Sequence, residues 1–238
     1  MKIAKKLSQL WLIVASVILL WGMDHYRRNL LANEMLTYTA VEADTSAVTL
    51  LFLGDIMGHM PQVEAALHAG GDTTYNYDDC FRFIQSILRE PDLTVGNLEV
   101  TLAGKPYSGY PQFSSPDELL HACINAGIDV LLTANNHCLD SGKRGLERTL
   151  LMLDSLHVLH LGTYRDSSEL RAQHPLIVEK NGIRVALLNY TYGTNGLKVH
   201  SPNVVSYIDK TQIAADITRA KELRADFVVV NLHWGIEY

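Results

Sequence analysis

Four apolar runs of this chain each end in a short polar tail: Gly54-Asp55, Gly96-Asn97-Leu98-Glu99, Asn135-Asn136-His137 and His233-Trp234-Gly235. Runs of about five apolar residues read as strands buried on both faces, and in a parallel sheet the polar ends of such strands gather along one edge. Oxygen and nitrogen donors far apart in sequence then meet in one crevice, where open α/β sheets bind their ligands. The repetition predicts an α/β fold and the place where its function sits.

The order of elements agrees with that class. Val48 to Leu53 is a strand, and Pro61 to Leu67 opens a helix with proline in its first turn. Asp78 to Arg89 carries Phe81, Ile84, Ile87 and Leu88 at helical spacing and predicts a second helix. Asp92 to Val95 is the next strand, followed by a long loop from Gly104 to Phe113, a helix begun by Ser115-Pro116, a strand over Ile128 to Thr133 and a helix over Gly145 to Leu156. This alternation predicts a mainly parallel sheet. Pro175 to Asn189 then reads as two strands around Asn181-Gly182, the strongest short hairpin signal, and a helix over Lys210 to Leu223 leads to a strand over Phe227 to Leu232. Mixed β-sheet layers flanked by helices are expected.

At 238 residues and 47% hydrophobic content, the chain suits one sizeable domain with an appendage. The appendage is N-terminal. Lys2, Lys5 and Lys6 precede an apolar stretch from Leu10 to Met23, and no clear small-residue cleavage site follows. Residues 1–23 therefore read as an uncleaved transmembrane anchor, with a cleaved signal as the rival. Residues 24–46 read as a linker and 47–238 as the domain. The basic head stays inside, which predicts a single-pass membrane protein with its domain extracytoplasmic. The chain stops at Tyr238 without a capping signal, so the domain reads as C-terminally truncated.

A net charge of −6 and the lack of a basic run beyond the first residues argue against nucleic acid as a partner. Cys80, Cys123 and Cys138 show no CxxC spacing; Cys80 and Cys123 are expected as small core residues within helices.

A hydrolytic two-metal site needs hard oxygen donors and imidazoles around ions about 3.5–4 Å apart. Asp55, Glu99, Asn136 and His233 offer such donors at four strand ends, and His137 suits proton transfer to a leaving oxygen. Four of these have a plainer reading taken singly: Asp55 as a helix cap, Glu99 as a solvated loop carboxylate, Asn136 as a turn residue, His137 as a structural histidine.

In these motifs, and in the stretches Thr133-Ala134-Asn135-Asn136-His137 and His233-Trp234-Gly235-Ile236-Glu237-Tyr238, the sequence resembles the capsule-synthesis CapA family, also called poly-γ-glutamate synthesis proteins. That family is similar in fold to calcineurin-like metallophosphoesterases, and the resemblance covers roughly residues 48 to 238. It implies a metallophosphoesterase-like fold, two divalent ions drawn from Mn, Fe, Zn or Mg, Asp55, Glu99, Asn136 and His233 as metal ligands, and His137 as the catalytic residue. Met57 stands where the related Asp-x-His motif has its histidine, and His59 is the nearest replacement. No counterpart of the family's last His-rich segment is present.

The resemblance also implies a role in making an anionic surface polymer at the membrane, with that polymer or a phosphoester as substrate and a membrane synthase complex as partner. A non-catalytic scaffold for such a synthase and a general secreted phosphoesterase are the alternatives. The tyrosine-bearing loops Pro106 to Phe113 and Tyr190 to Asn195 suit either recognition of a polar polymer or sugar, or mutual packing.

Overall fold

The computed structural model describes residues 46–235, together with Met23. The anchor expected over 1–23 and the linker expected over 24–46 fall, but for Met23 and Ser46, outside the described residues. Among the described residues no helix is long and apolar enough to cross a membrane.

Strands β1 (Leu50–Ile56), β2 (Leu93–Leu98), β3 (Val130–Leu132) and β4 (Leu159–Leu161) lie side by side in that order, all parallel. Helix α1 (Met60–Ala69) and the single turns α2 (Asp78–Phe81) and α3 (Gln85–Leu88) lead from β1 to β2. Helix α4 (Glu118–Ala126) joins β2 to β3, and α5 (Gly142–Ser155) joins β3 to β4. Parallel strands connected through helices are covered on both faces, and β2 is buried at every position. On one side Leu98 and Leu131 pack with Leu120, Leu146 and Leu150 of the helices. On the other, Leu93, Val95, Val130, Leu132 and Leu161 meet Val178, Val185 and Leu187 of a second sheet. Leu150 is fully buried there among the helix side chains. Leu150→Ala is expected to cost about 2–5 kcal/mol, read as a lower urea midpoint at unchanged slope.

After the short β5 (Thr163–Tyr164) and helix α6 (Ser167–Gln173), strands β6 (Leu176–Lys180) and β7 (Ile183–Thr191) form an antiparallel hairpin. Asn181 and Gly182 at its tip have φ of 53° and 76°, the left-handed pair that a tight two-residue turn demands. The two-residue β8 (Val204–Val205) pairs with β5, and α7 (Lys210–Glu222), capped by the Asp209 carboxylate, leads into β9 (Phe227–His233). Strand β9 runs parallel to β7, with Thr191 opposite His233, so the second sheet delivers its polar tail at the same strand end as the first.

Three expectations need correction. Asp78 to Arg89 is two isolated turns instead of one helix, because Phe83 and Ile87 stand 81% and 54% exposed and leave no continuous apolar stripe to pack. Cys80 is exposed, since Phe81 takes the core-facing position of that turn; Cys123 and Cys138 are buried. Tyr190 belongs to the buried end of β7 and is not a loop residue.

The Tyr190 hydroxyl donates to Asp216 of α7 at 2.8 Å, and His174 lies against the same carboxylate at 3.1 Å, with the Tyr164 hydroxyl 3.1 Å from its other nitrogen. Burial holds the His174 imidazole below its ordinary pKa, outweighing the attraction of Asp216. The unfolded chain therefore takes up a proton at about pH 6.5 that the folded chain refuses. This contribution to stability is complete above pH 6.5 and is lost as the pH falls through the folded pKa. Denaturant unfolding at pH 7.5 and 5.0 is expected to show the loss, reduced in His174→Gln.

Candidate metal centre

The centre is assembled by strand ends. Asp55 near the end of β1 is the register partner of Asn97 on β2, and Glu99 follows one residue beyond β2, where its amide donates to the Ile56 carbonyl at 3.1 Å. Beyond β3, the Asn135 side chain ties its own segment to β2. Its amide nitrogen donates to the Leu98 carbonyl at 2.8 Å and to Asn97 Oδ1 at 3.1 Å, while its oxygen accepts from the His137 amide at 3.1 Å. The two sheets are joined where Ala134 N donates to Asn189 Oδ1 at 2.8 Å. Gly162 makes room for that contact: at φ +116°, a Cβ there would stand 2.2 Å from Asn189 Oδ1.

These connections bring all four expected ligands together. Donor atoms of Asp55, Glu99 and His233 lie within 4.8 Å of one another. His233 is the hub: its Nε2 is 2.7 Å from Asn136 Oδ1 and 3.6 Å from Glu99 Oε1, and its Nδ1 is 3.9 Å from Asp55 Oδ1. Tyr192 is stacked over the same ring, with centroids 6.0 Å apart and planes inclined by 16°. Glu99 and Asn136 are buried, His233 is half-buried, and the Asp55 side chain is 52% exposed, so the cluster opens to solvent on the β1 side.

The donor set fits a divalent ion. Two carboxylates, an amide oxygen and an imidazole suit hard to borderline metals. Asn97 occupies the middle of the set. Its amide nitrogen donates to Asp55 Oδ1 at 2.8 Å and Glu99 Oε2 at 3.1 Å and is 3.3 Å from His233 Nδ1. Asn97 was not singled out from the sequence as a site residue. Its signal was its place at the end of β2, level with Asp55.

His137 lies beside the cluster and outside the three-residue group. Its Nδ1 is 2.7 Å from Asp140 Oδ2, which also accepts from the Phe113 amide at 2.6 Å, and the Phe113 ring meets the imidazole edge-on at 4.8 Å. Both partners are buried. Asp140 went unnoticed in the sequence, although a carboxylate three residues after the histidine on a tight turn is a readable signal. Met57 packs against the hydrophobic core, and His59 lies against Phe113 at 4.9 Å, so neither joins the cluster. Cys138 is no reactive neighbour: burial pushes its thiol up to about 12.

The fold and site define a class, a mixed α/β protein with an acidic and imidazole cluster at the ends of its parallel strands. A solved structure of similar fold is the putative 5'-nucleotidase from Staphylococcus aureus in complex with alpha-ketoglutarate, with a TM-score of 0.50 and 15% identity over 79% of this chain and 38% of that one.

The bacterial capsule synthesis protein PGA_cap model matches residues 49–238, and the chain belongs to that family, the CapA family. The capsule biosynthesis protein CapA of Bacillus anthracis is 27% identical over 210 residues, covering 82% of this chain and 48% of the relative. The PGA biosynthesis protein CapA of Bacillus subtilis (strain 168) is 26% identical over 201 residues, covering 79% and 49%. The chain thus spans about half the length of these relatives.

Proposed function

We propose that this CapA-family chain is a metal-dependent phosphoesterase-type protein that acts outside the cytoplasm, at the membrane, in the biosynthesis of an anionic surface polymer. The observation that carries the reading is the convergence of Asp55, Glu99 and His233 within 4.8 Å, with Asn136 against the same histidine. Those four residues would hold the metal, and two ions would be expected by analogy with the fold. A divalent ion there supplies Lewis-acid polarisation of a phosphoryl oxygen and makes water a nucleophile at neutral pH.

The chain's own residues do the rest. Asp140 accepts from Nδ1–H of His137 and so fixes the ring's orientation, which leaves Nε2 as the atom that would pass a proton to a departing alkoxide. Asp140 is a positioning residue in this scheme, and the Phe113 amide fixes its carboxylate in turn. Tyr192 restrains the His233 ring by stacking.

The test is metal content together with phosphodiester turnover of the purified full chain. Bound divalent metal with turnover supports the reading, and a folded chain that takes up no divalent metal ends it. One observation favours a second reading, a non-catalytic scaffold for a membrane polymer synthase: Met57 packs into the core and no described histidine replaces it in the cluster. Normal capsule formation by a Glu99→Ala, His137→Ala double variant selects the scaffold.

A further inference from the structure

The two loops that the sequence marks by their tyrosines meet at one place. Tyr110 to Gln112 of the first and Asn195 of the second, with Leu197 just beyond it, line a cavity of about 330 Å³, and His137 and Asp140 complete its wall. The cavity is contiguous with the cluster through Asn195, whose Oδ1 accepts from Asn136 Nδ2 at 3.2 Å. Its volume falls at the small end for ligand pockets and suits one sugar-sized group more than a run of polymer.

The lining sets the chemistry of the occupant. It offers a phenol, two carboxamides and an imidazole, groups that both donate and accept, and none of its residues is a lysine or arginine. Its one acidic residue is Asp140. Asp140 Oδ2 is already used by two donors and Oδ1 is buried without a partner, so this wall disfavours a second negative charge. The Asn195 oxygen is committed to Asn136, which leaves its NH2 to donate. Tyr110, 66% exposed and lining the cavity, supplies an aromatic ring of the kind that packs on the C–H surface of a sugar.

We propose that this cavity is the alcohol-side subsite of the centre, taking an uncharged, hydroxyl-bearing sugar or polyol that carries the phosphoryl ester, and rejecting carboxylated groups. The inference rests on the phosphoesterase reading for the identity of the neighbouring centre. The cavity's preference follows from its own lining. A polymer rich in carboxylates is then not what occupies this position.

A matched pair of probes tests it: methyl α-glucopyranoside and the same ring bearing a carboxylate, methyl α-glucopyranosiduronate. Saturation-transfer NMR on the full chain is expected to give a signal for the neutral glycoside at least about fivefold stronger than for the acid. Tyr110→Ala and Gln112→Ala should each weaken it, and Gln112→Lys should shift the preference toward the acid. A preference for the acid in the wild-type chain, or an undiminished signal in the Tyr110→Ala, Gln112→Ala double variant, overturns the proposal. Calorimetric titration with manganese separates this from the parent reading. Manganese uptake with no glycoside signal removes the subsite and leaves the metal centre; a glycoside signal that follows the variants without manganese uptake keeps the subsite and removes the metal centre.

Discussion

Glu99→Ala is expected to weaken divalent-metal binding by about 100-fold or more, since loss of even a residue that only supports a metal ligand costs about 10–100-fold. Glu99 is 3% exposed, and its carboxylate faces both His233 and the Asn97 amide, so water would not replace it in the same geometry. Thermal unfolding gives the readout. Metal at 100 times its dissociation constant stabilises the folded chain by about 2.7 kcal/mol, and a site weakened 100-fold keeps only about 0.4 kcal/mol of that. Asn97→Asp should move both quantities the other way. A third carboxylate beside Asp55 and Glu99 raises metal affinity, while in metal-free protein like-charge repulsion lowers the unfolding temperature. Opposite signs with and without metal would not arise from a merely structural role.

His137→Ala is expected to lower phosphoester turnover by about 10²–10⁴-fold while leaving metal content unchanged, because His137 stands outside the donor cluster. The loss should depend on the leaving group. Alkyl esters, whose alkoxides need a proton as they depart, should suffer most, and nitrophenyl esters should suffer little. Asp140→Asn should reproduce the pattern at smaller amplitude, since the amide still borders the ring but holds its orientation less firmly than the carboxylate does. A loss equal for all esters would assign His137 to binding or folding instead of proton transfer.

The sequence carried the fold through features that local physics fixes. Pro61 at a helix start, Asn181-Gly182 at a hairpin tip and the apolar core of β7 over Val185 to Leu188 all act within a few residues, and the structure contains each of them. Features set by tertiary partners were less legible. The strands β4, β5 and β8 are only two or three residues long and gain their pairing from neighbours far along the chain. Asp78 to Arg89 has helical spacing, but Ile84 and Ile87 find no surface to receive them and stand exposed between Phe81 and Leu88, which do.

The same division holds at the site. Asp55, Glu99, Asn136 and His233 were visible because chemistry-bearing residues stood at strand ends. Asn97 and Asp140 were missed because their importance lies in what they touch. An asparagine level with Asp55 becomes central only when β1 and β2 pair in that register. Likewise, a loop aspartate orients a histidine only when the Phe113 amide holds it from the other side.

Soaking crystals of the full chain in manganese and calculating an anomalous difference map tests the central claim most directly. The account predicts a peak within bonding distance of Asp55, Glu99, Asn136 and His233 together. A clean map at that position, or manganese held only elsewhere on the molecule, would contradict it.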